Sequence, residues 1–164
     1  MTKYQTPKPL VGVPLRNYFL EHAVAIPGRK FDGFFSITKD LPAFKKVQVP
    51  VGRGGLRLAV ANLTIPVGAV VYAYSDVWRT ETAFGTPAGP SYRKLRASVA
   101  DVHSIALKTA LTPAASAVAN RDNSLVYTRG KRVSPVRSFE MQRATCASGI
   151  HFFLNVADAL DYHF

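Results

Sequence analysis

Cys146 and His151 are the residues whose chemistry stands out first, because a thiol and an imidazole can act together as nucleophile and general base. They lie in the segment C-A-S-G-I-H-F-F, residues 146–153, whose apolar part is typical of a short strand. Side chains five residues apart on a strand point to opposite faces, since their direction alternates with every residue. Cys is also among the most frequently buried residue types. The spacing therefore favours core packing for Cys146, and a hydrogen-bonded core or interface position for His151, over catalysis.

No residue spacing is typical of a metal site. The chain has one Cys and four His, and the histidines are far apart along the sequence: His22, His103, His151 and His163. A single Cys excludes both an intrachain disulfide and a zinc site built from several Cys. We expect neither a metal nor a cofactor.

The glycine-rich segment G-R-G-G at residues 52–55 could present backbone amides and a guanidinium to a phosphate. It lacks the lysine of a Walker loop and the spacing of a dinucleotide-binding loop, so a β-turn explains it better. The carboxylates of Asp76, Glu81 and Glu140 are scattered and form no pair for acid–base chemistry. We therefore expect no enzymatic activity and assign no catalytic residue.

Positive charge is the strongest property of the composition. Lys and Arg number 21 against 10 Asp and Glu, a formal net charge of +11, which attracts polyanions. Two basic stretches stand out: one consists of Arg129, Lys131, Arg132, Arg137 and Arg143, and the other of Arg93, Lys94 and Arg96. Tyr127 and Phe139 flank the first stretch, an arrangement also found at nucleic-acid contacts. An acidic protein surface is the partner we expect. Nucleic acid and a plain solvated face remain alternatives.

Short strands are the elements expected to position these residues. Eleven Pro and eleven Gly indicate many turns. The hydrophobic pattern predicts strands over residues 31–37, 47–51, 56–65, 69–74, 124–133 and 149–154. Residues 92–107 fit a strand or a helix, and residues 112–123 fit a loop or a weak helix.

Three short helical segments are predicted. The first covers residues 13–24, with Leu15 and Phe19 on one face. The second is a single turn over residues 39–46, capped by Asp40. The third starts after Asn155, which with an acid three residues later resembles a capping box.

The predicted fold class is α+β and β-rich: a compact, mainly antiparallel sheet or barrel-like core with a few short helices. Residues 1–12 form an extended, proline-containing arm, and residues 13–164 form one domain. No apolar run is long enough to span a bilayer, and the first residues do not match a signal peptide. We expect synthesis in a host cytoplasm and no membrane partner.

Residues 146–153, with Ala157 and Tyr162 after them, resemble a signature of an uncharacterised viral domain family. That family occurs in phages and giant viruses, sometimes beside pentapeptide repeats. Residues 92–105, Y-R-K-L-R-A-S-V-A-D-V-H-S-I, resemble its other signature, with Leu95 where a Cys is expected. The resemblance, over about residues 65–162, implies a viral origin and a strand at residues 92–105. It implies no activity.

The G-I-H-F-F strand followed by an alanine-bearing helix is also similar to a segment of ADP-ribosyltransferase-like folds. That similarity implies Glu140 as a catalytic acid and Arg93 as a cofactor contact. The other parts of such a site are not recognisable in the sequence, so this enzyme hypothesis is the weakest of three.

The leading hypothesis is a virion structural protein of a phage: a capsid decoration, minor capsid or connector component. It would act in many copies or as a homo-oligomer, and bind another virion protein through the arm and the basic surface. The expected contact residues are Lys3, Tyr4, Lys8, Arg129, Lys131, Arg132, Arg137 and Arg143. The second hypothesis is a basic intracellular viral module that binds nucleic acid or a nucleotide and acts on the host.

Overall fold

A computed structural model describes residues 8–27, 33–51, 55–107, 116–119, 125–135, 139 and 148–162. Its β-rich fold consists of two antiparallel sheets with two short α-helices. The strands are short and separated by tight turns, as the Pro and Gly content indicates. The predicted fold class is therefore confirmed, although neither sheet closes into a barrel.

The first sheet has five strands, all paired antiparallel. They are β1 (Ala23–Ala25), β2 (Phe34–Ile37), β5 (Val70–Tyr72), β6 (Leu95–Ala97) and β11 (Ile150–Phe152), in the spatial order β1-β2-β5-β6-β11. All three residues of β6 are buried. A strand covered on both faces has no solvent side, so polar residues within it must find partners inside the protein.

The second sheet has six strands. They are β3 (Leu41–Val51), β4 (Gly55–Ile65), β7 (Ala100–Leu107), β8 (Ser116–Ala119), β9 (Val126–Thr128) and β10 (Arg132–Val133), in the order β10-β7-β4-β3-β8-β9. β3 and β4 form a long hairpin paired from Leu41↔Ile65 to Val51↔Gly55. β9 and β10 follow one another in the chain but occupy opposite edges of the sheet, so the sheet must curl strongly.

The helices lie at the two ends of the chain: α1 is Gly12–Leu20 and α2 is Val156–Asp161. α1 begins at Gly12 with φ +60°, where a Cβ atom would lie 2.8 Å from the Thr80 methyl group. Only glycine fits this approach without a rearrangement. The predicted inward face is confirmed, since Leu15 and Phe19 are buried.

Both sheets contribute to one apolar core, and backbone pairing joins them. Phe44 and Phe153 exchange hydrogen bonds in both directions, with N–O distances of 2.9 and 2.8 Å. Beside this bridge, Val156 and Leu160 of α2 pack against Val60. The pairing places β11 and α2 directly against β3.

Four local predictions need correction. Residues 39–46 are not a helical turn, because Leu41 starts a strand and Asp40 instead accepts a hydrogen bond from the Val67 amide. Part of residues 112–123 is strand β8 rather than a loop or helix. The choice left open for residues 92–107 falls to strands β6 and β7, which follow a 3₁₀ turn, Pro90–Arg93. The first predicted helix ends at Leu20, before strand β1. Asn155 does precede α2, but its side chain makes no capping hydrogen bond.

Candidate functional site

Arg129 and Lys131 lie exposed on the turn that joins β9 to β10. We call this turn, together with Arg132 at the start of β10, the basic turn. Its backbone is fixed: the Gly130 amide donates to Val102 O at 2.8 Å, and the Val102 amide donates to Lys131 O at 2.9 Å. Gly130 adopts φ +78°, a conformation that glycine reaches without strain. Within the described ranges neither cation forms an ion pair. The turn therefore presents two cations on a rigid backbone.

Arg132, the third predicted contact residue of the turn, binds Asp101 on β7. Its Nε and Nη2 atoms donate to the two carboxylate oxygens at 2.7 and 3.2 Å, and both side chains are exposed. The hydrogen bond to Asp101 raises the pKa of Arg132. This pair directs the Arg132 guanidinium toward Asp101, so two of its nitrogen atoms already donate to a carboxylate and fewer are available to a partner.

Lys8 is exposed and stands on a different element from the basic turn. Two residues later, the Leu10 amide donates to Asn155 Oδ1 at 2.9 Å, and Asn155 Nδ2 donates back to Leu10 O at 2.8 Å. Among the described residues 8–11, this reciprocal pair fixes the arm to the start of α2. Four predicted contact residues lie outside the described residues: Lys3, Tyr4, Arg137 and Arg143.

The second basic stretch does not form a solvated face. Arg93 is buried and binds Asp158 of α2 through Nε and Nη2, both at 2.8 Å, while Nη1 donates to Ala88 O at 2.8 Å. Asn155 Nδ2 also donates to Asp158 at 2.9 Å. In this arrangement the Arg93 guanidinium binds groups of the protein itself, and its suggested role as a cofactor contact stays untested. The Glu140 position lies outside the described residues.

Arg96 on β6 is completely buried among aromatic rings. Its guanidinium carbon lies 4.8 Å from the Phe139 ring centre, 4.9 Å from that of Tyr72 and 5.7 Å from that of Phe34. Nη1 donates to Ser148 O at 3.2 Å. A planar guanidinium can stack on such rings while its edge donates hydrogen bonds. We call this group the arginine cage.

The lysines of β3 also turn inward. Lys46 Nζ donates to Tyr162 O at 2.9 Å, and Lys45 Nζ donates to His151 O at 3.1 Å. Together with Arg93 and Arg96, these residues remove four cations from the freely solvated surface. Fewer cations are therefore available for direct contact with a partner than the net charge suggests.

The nucleophile–base pair stays untested, because Cys146 lies outside the described residues. His151 is half-buried on β11. No group of three or more His, Cys, Asp or Glu that could hold a metal ion occurs in the described segments. No described helix is long and apolar enough to cross a membrane.

A small hairpin, residues 80–88, projects Phe84 with 94% of its surface exposed. The Gly85 amide donates to Thr82 O at 3.0 Å and the Thr82 amide to Thr86 O at 2.8 Å, with Gly85 at φ +80°. This is a three-residue hairpin loop with a left-handed glycine. At its base the Ala88 amide donates to Thr80 O. We call residues 80–88 the Phe84 finger.

An open cleft of about 610 Å³ lies between α1, β2 and the segment after β5. Its lining includes the half-buried residues Phe35, Tyr74 and Trp78, buried Tyr72, and exposed Arg16. We call it the aromatic cleft. Phe35 and Trp78 rest on the buried ring of Phe19, at centroid distances of 5.0 and 5.6 Å.

Tyr74 is held within this cleft by Asp76, because the Tyr74 hydroxyl donates a hydrogen bond to Asp76 Oδ2 at 2.9 Å. Its ring stacks on Tyr72 at 5.7 Å and 7°. Burial, followed by the hydrogen bond and the negative charge of Asp76, raises the pKa of Tyr74 to about 12. The phenol therefore stays protonated at neutral pH and presents an ordered, uncharged wall.

Sequence reasoning missed both the Phe84 finger and the aromatic cleft. The finger had a local signal, since Thr82 followed by Gly85 and Thr86 is typical of a short hairpin loop. The cleft had none, because its walls come from two strands and a 3₁₀ turn, Ser75–Trp78, that tertiary packing brings together.

Neither the curated proteins nor the solved structures include a significant match to the chain. One family model matches residues 31–159, which span β2 to α2 and leave α1 outside the match. The matched region contains the arginine cage, the Arg93–Asp158 pair, the Phe84 finger and the aromatic walls of the cleft. The match covers most of the 164 residues, and the chain therefore belongs to the family of unknown function DUF5758.

Proposed function

We propose that the chain is a non-enzymatic structural protein of a phage particle, a capsid decoration, minor capsid or connector component. It binds an acidic surface of another virion protein through the basic turn and the N-terminal arm. The observation that carries this proposal is the basic turn, where Arg129 and Lys131 are exposed on a hydrogen-bonded backbone. A fixed backbone loses little conformational freedom when its side chains bind a partner.

The arm supports the same proposal through its attachment point. Because Asn155 binds both backbone groups of Leu10, the arm leaves the body of the protein at a defined place beside α2. Residues 1–9 precede this attachment and include the predicted contacts Lys3, Tyr4 and Lys8. Segments that order on a neighbouring subunit suit capsid contacts.

Location in a virus particle is supported by the resemblance of residues 146–153 to a signature found in phages and giant viruses. The binding role is supported by which cations of the described residues are buried and which are exposed. Arg93 and Arg96 face inward, so the remaining exposed charge is concentrated on fewer positions, such as the basic turn. Complementary charge steers association and sets specificity.

The direct test is mass spectrometry of purified particles of the source virus. The proposal expects this chain at a copy number that is a stoichiometric multiple of another capsid component. Absence of the chain from particles would refute the virion assignment. A screen for nucleic-acid binding would then follow, in which a steep loss of affinity with salt identifies phosphate contacts.

A pair of double variants tests the basic turn. Arg129→Ser with Lys131→Ser should reduce the chain's incorporation into particles, because both exposed cations of the turn are lost. Lys39→Ser with Arg57→Ser is the matched control, since it removes two exposed cations elsewhere. Equal loss of incorporation by both doubles would show that net charge, and not the basic turn, mediates binding.

Deletion of residues 1–9 tests the arm. This deletion leaves Leu10 bound to Asn155 and α1 intact, so the truncated chain should unfold at the same temperature as the full chain. The proposal expects incorporation to fall while the fold is retained. Full incorporation of the truncated chain would remove the arm from the proposal.

A further inference from the structure

Phe84 is the most exposed large apolar side chain of the described residues. The next, Val13, is 68% exposed. Single exposed apolar residues are common, but this one stands at the tip of a turn whose backbone is held by hydrogen bonds. Aromatic side chains, Phe among them, are enriched at the cores of protein–protein interfaces.

The finger is rigid from its tip to the protein core. Thr82 Oγ1 and Thr86 Oγ1 are 2.7 Å apart across the hairpin, and the Phe84 amide donates to Thr82 Oγ1 at 3.3 Å. At the base, Ala88 O accepts from Arg93, which is itself bound to Asp158. The chain therefore holds Phe84 away from its own core by specific contacts.

The aromatic cleft is a matching acceptor on the same chain. Its volume of about 610 Å³ lies within the range of roughly 300–1,000 Å³ found for binding pockets. Three half-buried aromatic residues, Phe35, Tyr74 and Trp78, contribute to its lining, and rings prefer tilted or edge-to-face contacts with other rings. A phenylalanine at the tip of a narrow hairpin has the shape and chemistry to enter such a cleft.

Charge complements this fit. The finger carries exposed Glu81 near its base, and the cleft carries exposed Arg16 at its edge. Neither side chain forms an ion pair in the described part of the chain. An acidic residue on the finger is notable because the chain as a whole carries +11. In a dimer, Arg16 of each copy would face Glu81 of the other copy.

We propose that two copies of this chain associate by inserting the Phe84 finger of each into the aromatic cleft of the other. The finger begins at Thr80, two residues after Trp78 of the cleft wall, so donor and acceptor lie on the same part of the protein. This proximity favours reciprocal exchange around a two-fold axis over an open chain of subunits. The proposal is independent of the basic turn and of the virion role.

Analytical ultracentrifugation of the full chain over a range of concentrations tests the proposal. The wild type should form a dimer as concentration rises, and Phe84→Ser should weaken dimerisation at least ~30-fold, as for an interface anchor. Val67→Ser is the control, because Val67 is also exposed at a turn, with 60% of its surface accessible. A wild type that stays monomeric, or a Phe84→Ser variant that dimerises as well as wild type, overturns the proposal.

A charge exchange tests the pairing itself. Arg16→Glu and Glu81→Arg should each weaken the dimer, since each places like charges together. The double variant Arg16→Glu with Glu81→Arg restores opposite charges and should recover dimerisation. Arg57→Glu, at an exposed position on β4, controls for the change in net charge. A double variant weaker than both singles would contradict contact between finger and cleft.

Discussion

Arg93 and Asp158 are 65 residues apart in sequence, yet they form a two-point ion pair with both N–O distances at 2.8 Å. Both side chains are almost completely buried. The third guanidinium nitrogen group binds Ala88 O, at the base of the Phe84 finger. One arginine thus connects the finger to helix α2, and its loss should affect stability and the finger together.

Asp158→Ala should lower the free energy of unfolding by about 3–5 kcal/mol, because it leaves the Arg93 charge buried without its carboxylate. Urea denaturation followed by circular dichroism measures this loss. Asp101→Ala removes the exposed partner of Arg132 and should change stability little. The double variant Arg93→Met with Asp158→Leu should lose less than the sum of the losses of the single variants Arg93→Met and Asp158→Leu; simple additivity would show that the pair is not coupled.

Arg96→Lys should destabilise the protein by roughly 2 kcal/mol or more, because an ammonium group cannot stack on three rings as a planar guanidinium does. Thermal unfolding measures the effect. Arg57→Lys, at an exposed position, should change stability by less than about 0.5 kcal/mol. Equal effects of the two substitutions would mean that the arginine cage does not depend on the shape of the cation.

Gly149→Ala should cost roughly 1–3 kcal/mol through crowding. A Cβ atom there would lie 3.1 Å from Arg96 Cβ and 3.3 Å from both Ala97 O and Phe139 Cδ2. Gly89→Ala is the matched control, because nothing lies within 4 Å of its added Cβ atom. Denaturation midpoints compare the two. A neutral Gly149→Ala would show that the cage can shift to admit a methyl group.

Stability above pH 10 should depend on Tyr74, whose pKa in the folded protein is raised from 10.0 to about 12. Below pH 10 the phenol is neutral in both states, so its contribution is complete. Between pH 10 and about 12 the unfolded tyrosine loses its proton first, and stability falls as pH rises. Tyr74→Phe should flatten part of this fall in denaturation series.

Asp76→Asn tests the cause of that pKa shift. The substitution removes the carboxylate but leaves burial, which is the largest single cause. The pKa of Tyr74 should therefore fall only part of the way toward 10.0, as read by tyrosinate absorbance. A complete return to the ordinary value would assign the whole shift to Asp76.

The local sequence pattern predicted those helices and strands whose apolar residues recur with the period of the element. The strand at Ile150–Phe152 and the start of α2 after Asn155 both follow from hydrophobic period and capping residue types. Pro42 suggested a helical first turn, but it lies in β3. β3 pairs with β8 only at Val47 and Gln48. Pro42 lies outside this pairing, so its missing amide N–H removes no hydrogen bond to β8.

The candidate site was far less predictable, because its contacts join distant segments. The alternation of residues 93–96 predicts that their basic side chains face solvent. In the structure β6 is buried on both faces, so the Arg96 guanidinium stacks on aromatic rings in the core. The partner of Arg93 is on α2, and no sequence spacing reveals it. Arg129 and Lys131 were predicted as exposed cations and are exposed.

The placement of β9 and β10 at opposite edges of one sheet has a consequence for folding kinetics. β9 pairs with β8 and β10 pairs with β7, so we expect the three residues between them to close the curl after both neighbours are in position. Contacts that form this late are absent from the transition state. Substitutions in the basic turn should therefore speed unfolding and leave the folding rate nearly unchanged. The connection that carries the exposed cations Arg129 and Lys131 is thus expected to limit the lifetime of the native sheet.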